Sequence, residues 1–143
     1  MTRPGPASRS AYRAFHAIPT RWKDNDALGH MNNAEYLSII DTAVSLWQLD
    51  QGLSITGPDS LRFVVVETGI RFFAEAGFPD MIHAGLRIGH LGRSSFRYEV
   101  GLFRNDADTA CTEGFFTMVL TDTQGRPTPL PKDVRKALST LMM

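Results

Sequence analysis

Asp26 stands three residues before Gly29-His30 and seven before Asn33, where a long run of helix-forming residues begins. A carboxylate that close to a helix start has a definite chemical use. The first turn of a helix carries backbone N–H groups with no internal acceptor and a partial positive potential. A carbonyl oxygen held there is stabilised as negative charge develops on it, while the carboxylate attacks the carbon or takes a proton from water. The segment Arg21 to Tyr36 therefore has the makings of an acyl-transfer site. The plainer reading of Asp26 is a cap on the turn before the helix, where aspartate is common. Asp24, on the same stretch, reads as a solvated charge.

The neighbours carry paired readings too. Gly29 permits a close approach or a positive φ, or is an ordinary turn glycine. His30 orients substrate or carboxylate, or anchors the loop by a hydrogen bond. Tyr36, one turn into the helix, has the spacing of packed core. Cys111 lies in a strand-like run without a nearby histidine, as a buried small side chain would. His16, His83 and His90 form no metal-ligand spacing, so no metal and no separate cofactor are expected.

These residues need elements to hold them. Phe15 to Trp22 reads as a short strand, and Asn33 to Asp50 as a helix capped by Asn32 or Asn33 and ended by Gly52. Tyr36, Ile40, Ala43, Val44 and Trp47 recur at helical steps, and Leu37, Ile39, Leu46 and Leu49 widen the apolar band over most of the circumference. Beyond Gly57-Pro58 the period becomes two. Val64, Val66, Thr68, Ile70 and Phe72 alternate with Val65, Glu67, Gly69, Arg71 and Phe73, and further runs follow at 82–89, 95–102 and 110–120. Pro131 opens a last helix over 132–141. Strand, long helix, four strands and short helix predict an α+β domain, an antiparallel sheet of about five strands wrapped around one central helix.

Composition narrows the function. The chain has 143 residues, 43% of them hydrophobic, which suits one domain over 13–143 behind a tail at 1–12 expected to be flexible. Lys+Arg and Asp+Glu are both 15, so nothing calls for nucleic acid, and little charge opposes self-association. A single cysteine fits a reducing, cytoplasmic setting, and no apolar run approaches a membrane span.

The stretch Asp26-Ala27-Leu28-Gly29-His30-Met31-Asn32-Asn33-Ala34-Glu35-Tyr36 resembles the motif of hotdog-fold acyl-CoA thioesterases of the 4-hydroxybenzoyl-CoA thioesterase type. Val64-Val65-Val66-Glu67, Leu91-Gly92-Arg93-Ser94-Ser95-Phe96, Ala110-Cys111-Thr112-Glu113-Gly114 and Gly125 to Pro131 extend the similarity in the family's order. The resemblance implies a hotdog fold and a homodimer, often paired into a homotetramer, with active sites between subunits. It implies hydrolysis of an acyl-CoA, coenzyme A being part of the substrate. Asp26 takes the place of the essential carboxylate, as nucleophile or base, and the Asn33 N–H that of the oxyanion donor. Gly29, His30 and Tyr36 are the candidates to line the substrate beside them. Arg93, Ser94 and Ser95 fall where relatives contact the nucleotide or pantetheine of coenzyme A, although they also read as a polar turn. An acyl pocket is expected from Trp22, Tyr36, Trp47 and Phe63. Two rivals stand beside this. A hotdog hydratase or dehydratase has a longer Asp-to-His spacing than Asp26–His30, and a non-catalytic acyl-CoA binder or sensor has no need to retain Asp26.

Overall fold

The computed structural model describes residues 4–143. In chain order it holds β1 (Ala14–Pro19), α1 (Asn33–Asp50), β2 (Arg62–Phe72), β3 (Met81–Leu91), β4 (Ser95–Arg104), β5 (Thr112–Thr121) and α2 (Lys132–Ser139). The five strands form one sheet in the order β1-β3-β4-β5-β2, each pair of neighbours antiparallel. The sheet curls around α1, and this is the hotdog fold expected from the element order.

The helix boundaries follow local chemistry. The Asn32 side chain accepts from the Ala34 N–H at 2.9 Å, and Gly52, at φ +76°, closes the other end through its N–H to Leu49. Ile40, Ala43, Val44 and Trp47 are buried against Tyr98, Val100 and Phe116 of the sheet. Gln48 is buried among them, and its Nε2 donates to the Tyr98 hydroxyl at 3.1 Å, so the polar group keeps a partner. Leu46 and Leu49 stay exposed, so a single chain covers only part of the apolar band.

Three details depart from the sequence reading. β1 stops at Pro19, which has no N–H for the ladder, and Trp22–Asp24 forms a 3-10 turn instead of more strand. α2 ends at Ser139, with Leu141 buried in the turn beyond it. The strict alternation along β2 is broken by a bulge between Val65 and Glu67, so Phe63 and Ile70, an odd number of positions apart, both pack on the core. Residues 1–3 of the expected tail lie outside the described residues. Further on, the Ala7 N–H donates to Glu113 Oε2 at 2.6 Å, and Tyr12 is buried on the sheet face turned away from α1. Among the described residues, no helix is long and apolar enough to cross a membrane.

Candidate active site

The loop between β1 and α1 is fixed from below by Asp24. Its carboxylate is buried, takes the Arg21 N–H at 2.7 Å and pairs with the Arg21 guanidinium at 2.9 Å, while its carbonyl accepts the Asn32 N–H at 2.7 Å. Burial alone would raise this carboxyl, but the Arg21 donors outweigh it and hold it below the usual carboxylate range. Asp24 is therefore a structural anchor and not the solvated charge expected. An Arg21 side chain folding back over a 3-10 turn left no mark in the sequence pattern.

Asp26, two residues on, is exposed. Its Oδ1 accepts the N–H groups of Leu28, at 2.8 Å, and His30, at 3.2 Å, and its own N–H donates to the His30 carbonyl at 2.7 Å. The turn passes through Gly29 at φ +80°, which a residue with a side chain rarely adopts. Gly77 packs behind it, where a Cβ would sit 3.2 Å from the Gly29 carbonyl. One oxygen of Asp26 thus does the capping of the plainer reading. Oδ2 is left without a partner among the described residues.

Across from it, α1 begins. Asn32 occupies the Ala34 N–H, and no described residue accepts from the N–H of Asn33. Asp26, Asn33 and Tyr36 line one cavity of about 430 Å³, closed on its other side by the chain from Phe72 to Glu75. That volume suits part of a small-molecule ligand. A carboxylate and a helix-start amide lining one cavity suit the chemistry of a carbonyl ligand.

The remaining residues divide. His30 is half-exposed on the cavity rim, its Nε2 2.8 Å from Glu75 Oε2. Tyr36 is buried as its spacing predicts. Its hydroxyl accepts the Ala76 N–H at 3.0 Å and donates to the Ala76 carbonyl at 3.3 Å, tying the β2–β3 connection to the helix. Of the expected acyl pocket only Tyr36 lines the cavity. Trp22 is 77% exposed against Phe78, Trp47 packs on Tyr98, and Phe63 packs on Phe96. The wall is built instead by Phe72, Phe73, Ala74 and Glu75, which sequence reading missed. A strand end carries no motif, and only the pairing of β2 with β5 brings it opposite α1. Cys111 is buried, which pushes its thiol up and makes it a poor nucleophile.

Arg93, Ser94 and Ser95 are elsewhere. The loop before β3 touches the Asp26 turn through Met31 N–H to Ala76 and Phe78 N–H to Asn25, whereas these three follow the other end of β3. A strand of 11 residues spans about 33 Å at ~3.3 Å each. Arg135 of α2 holds the turn by donating to the Gly92 carbonyl at 2.8 Å. Within one chain the two groups do not meet.

Sheet and helix together define the hotdog fold. The model of the Thioesterase-like superfamily matches residues 20–138, and the chain belongs to that superfamily. Among solved structures, the PA5185 protein of Pseudomonas aeruginosa is 38% identical, with a TM-score of 0.92 over 96% of this chain and 97% of the other. A thioesterase from Thermus thermophilus, solved with coenzyme A and zinc, is 28% identical, with a TM-score of 0.73 over 92% and 95%. The 1,4-dihydroxy-2-naphthoyl-CoA thioesterase Slr0204 of Synechocystis shares the fold at 19% identity and a TM-score of 0.80, over 87% and 94%. No curated protein matches the sequence.

Proposed function

We propose that the protein hydrolyses an acyl-CoA to the free acid and coenzyme A. Asp26 Oδ2 acts as nucleophile or as base on a water, and the Asn33 N–H holds the thioester oxygen as it becomes an oxyanion. The observation that carries this is the shared cavity: Asp26, with one carboxylate oxygen unpartnered among the described residues, and Asn33, whose N–H none of them accepts, both line it. Superfamily membership and the coenzyme A held by the Thermus relative support the substrate class. Gly29 shapes the approach, Tyr36 backs the acyl group, and His30, held by Glu75, borders the entrance.

The remote turn at Arg93 to Ser95 fits this reading if a second copy presents it. One arginine and two hydroxyls there offer donors to the phosphates of coenzyme A. Two features support a homodimer. The outer edge of β2 shows Val64, Val65 and Val66 at 45, 42 and 58% exposure, and α1 leaves Leu46 and Leu49 uncovered. An apolar sheet edge of this kind is a template for pairing. A homotetramer and a cytoplasmic setting belong to the same reading.

A panel of acyl-CoA thioesters, aliphatic and aromatic, assayed for thiol release with wild type and Asp26→Ala tests it. Turnover of some members by wild type, lost in the variant, is expected. Equal rates in both remove Asp26 from the mechanism. Binding of a thioester without release by either protein makes the chain an acyl-CoA binder.

A further inference from the structure

The sheet has a second face, turned away from α1, with its own cavity. It measures about 300 Å³ and shares no lining residue with the Asp26 cavity. We propose that it is a binding site for a small organic carboxylate, held by Arg97 and Arg71.

Five charged side chains line this cavity, and they are unequally occupied. Arg87 Nε donates to Glu99 Oε1 at 2.8 Å, and its Nη1 donates to the Ala11 carbonyl at 3.1 Å. Glu113 Oε2 takes the Ala7 N–H at 2.6 Å. Two cations remain. Arg97 Nε is buried with no hydrogen-bond acceptor, the nearest carboxylate oxygen, Glu99 Oε2, standing 3.5 Å away in ion-pair range only. The Arg71 side chain, on β2, has no ion pair or hydrogen bond among the described residues. The Nε itself is out of solvent, but the Arg97 side chain is 36% exposed, so an incoming oxyanion meets the guanidinium at its outer nitrogens and balances its charge.

The floor supports the same ligand. The Arg97 guanidinium lies 3.7 Å over the Phe115 ring, which fixes its position. Phe115 in turn lies over Gly69, where a Cβ would come within 2.6 Å of the ring, so any other residue on β2 would displace it. A flat apolar surface beside a cation suits a short aliphatic or aromatic acid. The charge count selects its valence. Three arginines against two glutamates leave one positive charge, which a monoanionic carboxylate balances and which a doubly charged phosphate exceeds while meeting Glu99 and Glu113. The volume sits at the small end of ligand pockets.

Calorimetric titration of the full chain with sodium benzoate, and with inorganic phosphate as comparator, tests the site. Saturable benzoate binding is expected in wild type and in Asp26→Asn, at least about tenfold weaker in Arg97→Gln and in Arg71→Gln, the size of one lost charge-assisted hydrogen bond. Phosphate is expected to bind more weakly than benzoate, and both arginine variants should hydrolyse thioesters as wild type does. Arg71 is on an exposed edge, so its variant carries the test should Arg97→Gln fail to fold. Absence of saturable benzoate binding, affinity indifferent to both arginines, or phosphate binding as tight as benzoate overturns the proposal. So does a wild-type particle mass larger than that of Arg97→Gln without benzoate uptake, which makes this face a contact between copies. Activity lost in Asp26→Asn is read separately, so either proposal can fail alone.

Discussion

Asp24 and Asp26 are the same residue type two positions apart, yet one is buried beneath the loop and the other stands above it. Asp24 spends its oxygens on Arg21 and has none to offer a substrate. Asp26 spends one oxygen on the turn and keeps the other. A carboxylate that is fully satisfied holds the loop, and one that is half satisfied is positioned by the loop and still available. The difference is set by the chain between them. The 3-10 turn at Trp22–Asp24 rotates Asp24 inward, and Gly29 lets the following turn close around Asp26 Oδ1.

The contrast can be broken most severely at Asp26. Asp26→Asn keeps an oxygen for the Leu28 and His30 amides and removes the charge. Thioester turnover should fall on the order of 100-fold or more, the range for losing a general base, with the melting temperature unchanged. The opposite pattern is expected at Asp24. Asp24→Ala takes the acceptor from the part-buried Arg21 N–H and the ion-pair partner from its guanidinium, and should lower the midpoint of denaturant unfolding. Its activity, measured where the variant is folded, should fall far less than that of Asp26→Asn.

Acid sharpens the same division. The Asp24 carboxyl is held below its ordinary value, and so is that of Asp80, where burial is outweighed by the Asn105 side chain, the Gly77 N–H and Arg104. Carboxyls depressed in the folded state stabilise it fully above their unfolded value, about 3.9, and that contribution is lost as pH falls through the folded values. Melting temperature should therefore drop as pH falls from about 5 to 2, and Asp24→Asn should flatten the drop. A wild-type curve no steeper than the variant's contradicts the assignment. The smallest effect is expected at Tyr36→Phe. It takes the acceptor from the buried Ala76 N–H, the Ala76 carbonyl keeping the Met31 N–H, and should cost about 1 kcal/mol with little change in turnover.

The fold was legible in the sequence because its signals are local and repeated. The helical spacing of Tyr36 to Trp47 and the period of two in the later strands specify both elements and faces. The Asp26-to-Asn33 arrangement was legible for a similar reason, since a carboxylate, a glycine and a cap lie within one loop. What escaped depends on distant parts of the chain. Glu75 meets His30 through the β2–β3 connection, and the cavity wall of Phe72 to Ala74 faces α1 only once β2 has paired with β5. The expected pocket of Trp22, Trp47 and Phe63 failed because aromatic character does not say which side of the sheet, or which end of the helix, a ring will occupy.

Asn33 offers the most direct measurement of all. Proline is well tolerated at a first helical position, and Asn32, at φ −59° and ψ 140°, already has the conformation that a following proline demands. Asn33→Pro therefore deletes one amide hydrogen and leaves the helix start in place, whereas Asn33→Ala deletes the side chain and keeps the amide. Hydrolysis of one acyl-CoA by the two variants side by side should show a loss on the order of 100-fold or more in kcat for proline, and little change for alanine. Equal rates for the two, with both folded, would contradict the placement of the thioester oxygen at the opening of α1.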